Sequence, residues 1–315
     1  MVCRVGLWGH LAGDFGSALL SRLEAMASFD VLALQASDVA APSFDDIDAD
    51  DDAQDSAALL RFRRRPLPSC SIEDLATIDI VVLLAPWPPA RPASDLAAHQ
   101  VIDLTPGAVS ALPTWHVLPA PVLDLSLRLL RALLPLSLCS VQICSHESAA
   151  MHNEQATREL VKETIDLLNG RGRSDVTILP QNAFNLWPLP QGEQIQLRQD
   201  LRRCLDGVQV DVQVVRLRVP VFYGLWQVWT LTCEQPQRTE ELVQCLQRVG
   251  VRIDEVVRHG PVAVLVDDDA AEHIHACIEA GEDARHWVLY VAVDPLRFSQ
   301  VGNLCELLQT LEKLL

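Results

Sequence analysis

The chain has no CxxC pair among its nine cysteines, and its two nearest, Cys139 and Cys144, stand five residues apart. A zinc ribbon needs such pairs, and a disulfide framework favours an even, regular count. The odd, scattered set points instead to reduced thiols and a cytoplasmic setting. Positive charge is also short: 25 Lys and Arg face 42 Asp and Glu, giving a net charge of −17 and a pI near 4.8. Such a chain repels phosphate backbones and anionic lipid, which argues against nucleic acid or a membrane surface as partner. Long apolar runs are missing too. The stretch from 117 to 139 is broken by Pro119, Pro121, Asp124, Arg128, Arg131 and Pro135, so no transmembrane span is expected. The opening Met1-Val-Cys-Arg-Val reads as a strand and lacks the basic start and apolar stretch of a leader.

What is present is a core-forming composition, 49% hydrophobic over 315 residues, for which two domains are expected more readily than one. Val2 to Trp8 reads as a strand, followed by Gly9, Gly13 and Gly16 and then by leucines at helical spacing from Ser17. Asp30 to Gln35, Ile78 to Ala85 and Val101 to Thr105 read as further strands, with short helices beginning at Glu73 and Ser94 between them. That alternation is the pattern of a doubly wound parallel sheet.

The glycine spacing departs from GxGxxG, and Asp14 sets a carboxylate where a pyrophosphate would lie. Two readings stand side by side: a turn that binds NADP or NAD through Gly9, Gly13 and Gly16, and a βα turn with no ligand. Ser43 to Asp55 carries seven acids just after Asp38, a solvated loop without the glycine and terminal glutamate of an EF-hand. The arginines at 61, 63, 64 and 65 either neutralise that loop or form an NADP phosphate site.

Leu123 to Leu134 reads as a strongly apolar helix, Leu138 to Cys144 as a strand, and Thr157 to Leu168 as an amphipathic helix stopped by Asn169-Gly170. Further on, helices are expected at 195–205, 240–249 and 306–315, and strands at 262–266 and 287–293. Leu217 to Leu231 is read as two strands meeting at Gly224, with Pro220 at a bulge or edge. Glu272, His273 and His275 are spaced for a shared face, without a further metal ligand in view.

Several of these segments together resemble the aspartate-semialdehyde dehydrogenase family, and within it the divergent Usg-type dehydrogenase-like branch. They are Val5-Gly-Leu-Trp-Gly9, Val101-Ile-Asp-Leu-Thr105, Ala183-Phe-Asn-Leu186, Arg218-Val-Pro-Val-Phe-Tyr-Gly224, and Val293-Asp-Pro-Leu-Arg297 with Asn303 six residues on. The resemblance runs from end to end. It implies an α/β chain: an N-terminal Rossmann-type parallel sheet over 1–121, completed by a C-terminal helix at about 298–315, and an α+β catalytic and dimerisation domain with a mixed sheet over 122–297. It also implies a homodimer and an NADP- or NAD-dependent reaction. In that reaction a cysteine thiolate attacks an aspartyl phosphate and NADPH reduces the resulting thioester.

Carried over position by position, the resemblance sets Val122 at the nucleophile, Glu147 at a glutamine, and Gln227 at the glutamate that holds the substrate amine. Cys277 and Glu279 fall on the carboxylate-binding arginines, and His286 lies two positions from the expected general base. Valine cannot form a thioester, and a carboxylate repels the substrate that arginine would clamp. The expected function is therefore that of a catalytically impaired homologue, a homodimeric scaffold or regulatory protein in the cytoplasm. The alternative is an active oxidoreductase on an acyl-phosphate or semialdehyde substrate, with Cys139 or Cys144 as relocated nucleophile and His146 beside the latter.

Overall fold

The structure, a computed structural model, describes residues 2–9, 13–35, 61–63, 65–88, 92–105, 113–152, 154–171, 181–265 and 268–315. The acidic run from Ser43 to Asp55, together with Asp38, Arg64 and the Asp14 side chain, lies outside the described residues. The chain divides into two compact units, residues 1–119 with 300–315, and residues 120–299.

The first unit contains β1 (Cys3–Trp8), α1 (Gly13–Glu24), β2 (Phe29–Gln35), a small hairpin of β3 (Arg61–Phe62) and β4 (Arg65–Pro66), then β5 (Ser69–Ser71), β6 (Ile80–Leu83), β7 (Gln100–Asp103) and β8 (Trp115–Val117). Except for the hairpin, these strands form one six-stranded sheet in the order β5-β2-β1-β6-β7-β8, with every pair parallel. All four residues of β6 are buried, as expected of a strand covered on both faces. The order reverses between β1 and β6, so the carboxyl ends of those two strands form the topological switch point of the sheet.

The second unit begins with α2 (Pro121–Leu133) and continues through β9 (Leu138–Glu147), α3 (Glu154–Leu168), β10 (Trp187–Pro188), α4 (Gln191–Cys204), β11 (Asp211–Arg218) and β12 (Leu225–Cys233). After these come α5 (Thr239–Gln247), β13 (Val251–Ile253), α6 (Pro261–Val264), α7 (Asp268–Ala271), β14 (Ile274–Ala280) and β15 (His286–Val293). The strands make a seven-stranded mixed sheet in the order β10-β11-β9-β12-β15-β14-β13. One face packs against α2, α4 and α5. Leu125, Leu129, Leu130 and Leu133 of α2 are buried against Val141, Ile143, Trp229, Leu231, Leu289 and Val291 from the sheet. Each such leucine contributes about 1.5–3 kcal/mol through the area it removes from water.

The last helix, α8 (Asn303–Glu312), follows a π-helical segment over Pro295–Gly302 and belongs to the first unit, where the Ser28 hydroxyl donates to Glu312 at 2.9 Å.

Two sequence expectations give way. The first strand of the 217–231 pair stops at Arg218, because Val219 still donates to Glu147 but Pro220 has no N–H with which to continue the ladder. The kink at Gly224 is real: its φ is +92°, and a Cβ there would lie 2.8 Å from Cβ of Pro261. The strand expected at 262–266 is instead the short helix α6, started by Pro261 at its first position after Gly260 at φ +93°.

Candidate active site

The residues that the resemblance nominates fall in three places on the second unit. Val122 lies in the first turn of α2, 3% exposed and packed into the main core. Glu147 closes β9, and Gln227 sits two residues into β12 opposite Ser145. All three are on the α2 side of the sheet. Cys277 and Glu279 are on the other side, because in β14 it is Ala276 and Ile278 that pack with the α2-side core. His286 opens β15 opposite Thr232, five residues before the Val291 that pairs with Gln227, or about 17 Å by strand rise. It is exposed and its Nδ1 lies 2.7 Å from Asp283.

Glu147 is not free to act as an acid or base. Its carboxylate is 1% exposed and is clamped by the Arg216 guanidinium through a two-point fork, Nε to Oε1 at 2.6 Å and Nη2 to Oε2 at 2.8 Å. Burial opposes the charge on Arg216, yet hydrogen bonds and charge from Glu147, with Glu193 at 3.5 Å behind it, hold the guanidinium pKa above its ordinary value. Gln227 is equally committed: fully buried, it accepts from Trp229 Nε1 at 2.9 Å and donates to Ser145 Oγ at 3.4 Å. Just beyond Glu147, Ser148 is fully buried, and burial together with Arg218 and Arg216 lowers the His152 pKa to about 4. Arg216, Ser145, Trp229 and His152 were not singled out from sequence. The signal available was the pair Arg216 and Arg218, two apart in β11 and therefore on the same face as the buried Val212 and Val214.

The alternative thiols are placed elsewhere. Cys144 and His146 share the face turned away from α2, with Sγ and Nε2 3.8 Å apart and His146 tilted against Trp226 at 5.0 Å. Burial pushes the Cys144 thiol up and pulls the His146 imidazole down, which works against a thiolate–imidazolium pair. Cys139 is the extra residue of a β-bulge, between Leu138, which pairs with Cys233, and Ser140, which pairs with Thr232. It is exposed and sits eight residues before Glu147, about 26 Å along the strand. On the same outer face Cys277 accepts from Arg258 Nε at 3.0 Å, and burial again raises its pKa above the ordinary thiol value. Among the described residues no group of three metal-ligating side chains comes together; His275 instead bonds the Ala270 carbonyl at 2.9 Å.

At the switch point of the first unit, Gly9 turns with φ +120°, and a Cβ there would lie 2.7 Å from the Ala85 amide nitrogen. Trp8 ends β1 and donates from Nε1 to the Pro86 carbonyl at 3.1 Å, while its ring meets Trp87 edge-on with centroids 5.5 Å apart. Arg63 is spent on the backbone: its Nη2 reaches the carbonyls of Met26, Ala27 and Phe29 at 3.4, 3.2 and 3.0 Å. Of the nominated βα turn, Gly9 is described and Gly13 and Gly16 lie in the first turn of α1, residues 10–12 lie outside the described residues, and Arg63 is already committed.

Solved structures decide what this architecture is. The chain matches a probable aspartate-semialdehyde dehydrogenase from Pseudomonas aeruginosa with a TM-score of 0.78 at 19% identity, over 99% of each chain. The fold is that of the aspartate-semialdehyde dehydrogenases. Aspartate semialdehyde dehydrogenase II from Vibrio cholerae matches at TM-score 0.75 and 17% identity, and its complex with ASA at 0.77 and 18%, each over 99% of both chains. No family model and no curated protein sequence matches. The parallel sheet followed by a mixed sheet, expected from the resemblance, is therefore present. No helix among the described residues is long and apolar enough to cross a membrane.

Proposed function

We propose that this chain is a catalytically silent homologue of aspartate-semialdehyde dehydrogenase, of the Usg type, that acts in the cytoplasm as a homodimeric scaffold or regulatory partner. One observation carries the reading: the helix start where the family's sulfur would stand holds the buried Val122, and the seven-stranded sheet separates it from Cys144. On the α2 side Cys233 and Cys245 are buried in the core and Val122 offers no sulfur at the helix start, so the thioester step has no accessible acceptor there. The fork between Arg216 and Glu147 supports the same conclusion, since it neutralises a carboxylate at the position of a polar site residue. The outer face of the sheet, with Val215 48% exposed beside β9, supports self-association.

A purified-protein assay with aspartate semialdehyde, phosphate and NADP tests the loss of chemistry, and light scattering after size exclusion tests the dimer. The second reading, a relocated nucleophile, draws on the 3.8 Å approach of Cys144 to His146. Thiol labelling at mild pH separates the two readings: a hyper-reactive Cys144 supports the enzyme, and ordinary or slow labelling supports the silent homologue.

A further inference from the structure

We infer that Ser148, His152 and Arg218 form a binding site for a small oxyanion, a carboxylate or a phosphate, at the ends of β9 and β11. This goes beyond the loss of chemistry, since nothing in it uses the nucleophile position. Arg218 is in register with Glu147, and past those residues the two segments stay joined. Val219 donates to the Glu147 carbonyl at 3.1 Å, and the Ala149 amide donates to the Val221 carbonyl at 2.9 Å. Ser148 therefore lies against the stretch that follows Arg218. His152 comes directly after the 3-10 turn Ala149–Met151, near enough for both Arg218 and Arg216 to act on its charge. Each of the three side chains carries a buried polar atom with no hydrogen-bond partner among the described residues: Ser148 Oγ, His152 Nε2 and Arg218 Nε. Ser148 is 0% exposed, and its hydroxyl caps no amide of the turn that it precedes. Buried polar atoms are almost always paired, so three orphans in one corner call for a common partner.

An oxyanion is a partner to which all three donate. Arginine offers donors only, a serine hydroxyl donates, and a neutral imidazole donates from Nε2 in one of its tautomers. The charges agree. Arg216 is held by Glu147 and Glu193, whereas Arg218, two residues on, makes no ion pair among the described residues. Its guanidinium lies over the Trp187 ring, 5.1 Å from the centroid, and Trp187 donates to Asn182 at 3.2 Å. Nearby carboxylates have other partners. Glu163 accepts from the Asn182 and Ala183 amides at 2.7 and 3.0 Å, and Glu159 accepts from Gln155 at 2.9 Å. Burial outweighs the pull of Glu159, Glu193, Glu147 and Glu163 and leaves the Arg218 pKa below its ordinary value, as for a cation short of counter-charge. Arg216 grips Glu147 through Nε and one Nη, and the same edge of Arg218 suits a carboxylate or phosphate fork. Arg218 and His152 are half-buried, so both can turn toward an entering ion, while Ser148 is enclosed.

The test titrates the full-length wild-type protein with inorganic phosphate and with acetate, each against chloride at equal ionic strength. Saturable binding of at least one oxyanion is expected, with a Kd of about 1 mM or tighter and a melting-temperature rise of roughly 4–7 °C at a hundredfold excess over Kd. The tighter of the two tells phosphate from carboxylate. Arg218→Met is expected to abolish the rise. Ser148→Ala is expected to weaken binding about tenfold, the value of one hydrogen bond, yet leave the ion-free melting temperature level or higher, because its hydroxyl has no partner to lose. The His152 ring, followed by NMR, gives a readout that packing alone does not move: the bound anion should lift its titration midpoint above about 4. The inference is overturned if neither ion binds saturably, or if affinity is unchanged in Ser148→Ala. A response that survives Arg218→Met would mean an adventitious ion only and would overturn it as well.

Discussion

Replacing Arg216 with methionine leaves the Glu147 carboxylate, 1% exposed, with no cation at its oxygens. Breaking a buried ion pair by deleting one partner costs about 3–5 kcal/mol, because the remaining charge is neither hydrated nor compensated. The pair lies in a unit of 180 residues, from 120 to 299. At about 2.1 cal/mol/K per residue its unfolding entropy is about 0.38 kcal/mol/K, so the loss becomes a drop of about 8–13 °C in melting temperature. Glu147→Gln is milder, about 1–3 kcal/mol, since Arg216 keeps Glu193 at 3.5 Å. The double variant Glu147→Leu/Arg216→Met removes both desolvation costs and is expected to recover most of the loss.

Urea unfolding followed by tryptophan fluorescence measures all four proteins. Two results would refute the reasoning: an Arg216→Met variant within about 1 kcal/mol of wild type, or a double variant as unstable as that single one.

Further outcomes follow from the same geometry. His152, lowered to about 4 by burial and two arginines, is neutral in the fold. Its contribution is complete above about 6.5, the unfolded value, and falls away as pH drops toward 4, so His152→Gln should flatten the acid side of the stability curve in that window. Gly224→Ala places a methyl 2.8 Å from Pro261 at a φ of +92° and should cost about 2–4 kcal/mol in urea unfolding. A thiol reagent at neutral pH should label the exposed Cys139 and Cys204 first and Cys144 slowly, because burial raises the Cys144 thiol. Val122→Cys alone should give no dehydrogenase turnover, since Glu147 remains clamped by Arg216.

Much of the fold was legible because its signals are local. The apolar strand from Cys3 to Trp8 and the leucine-spaced helix from Gly13 to Glu24 appear where periodicity puts them, and so does the helix of leucines after Pro121. Val262 to Val266 misled because a β-branched run carries strand propensity, whereas Gly260 and Pro261 set the backbone for a helical turn. The site was less legible. Arg216 and Glu147 are 69 residues apart in parallel strands, so their pairing depends on register, which no local pattern encodes. That Cys144 faces away from α2 follows from the same register, and the bulge at Cys139 breaks the simple parity count along β9. Val122 itself was readable only through the family resemblance, since a valine in the first turn of an apolar helix otherwise reads as core.

The most direct measurement is turnover by the purified full-length protein with aspartate semialdehyde, phosphate and NADP, followed as NADPH formation. The expected result is no rate above the protein-free blank, unchanged in variants lacking Cys139 or Cys144. Turnover that vanishes when a single cysteine is replaced would contradict the central claim and identify the sulfur that carries the acyl group.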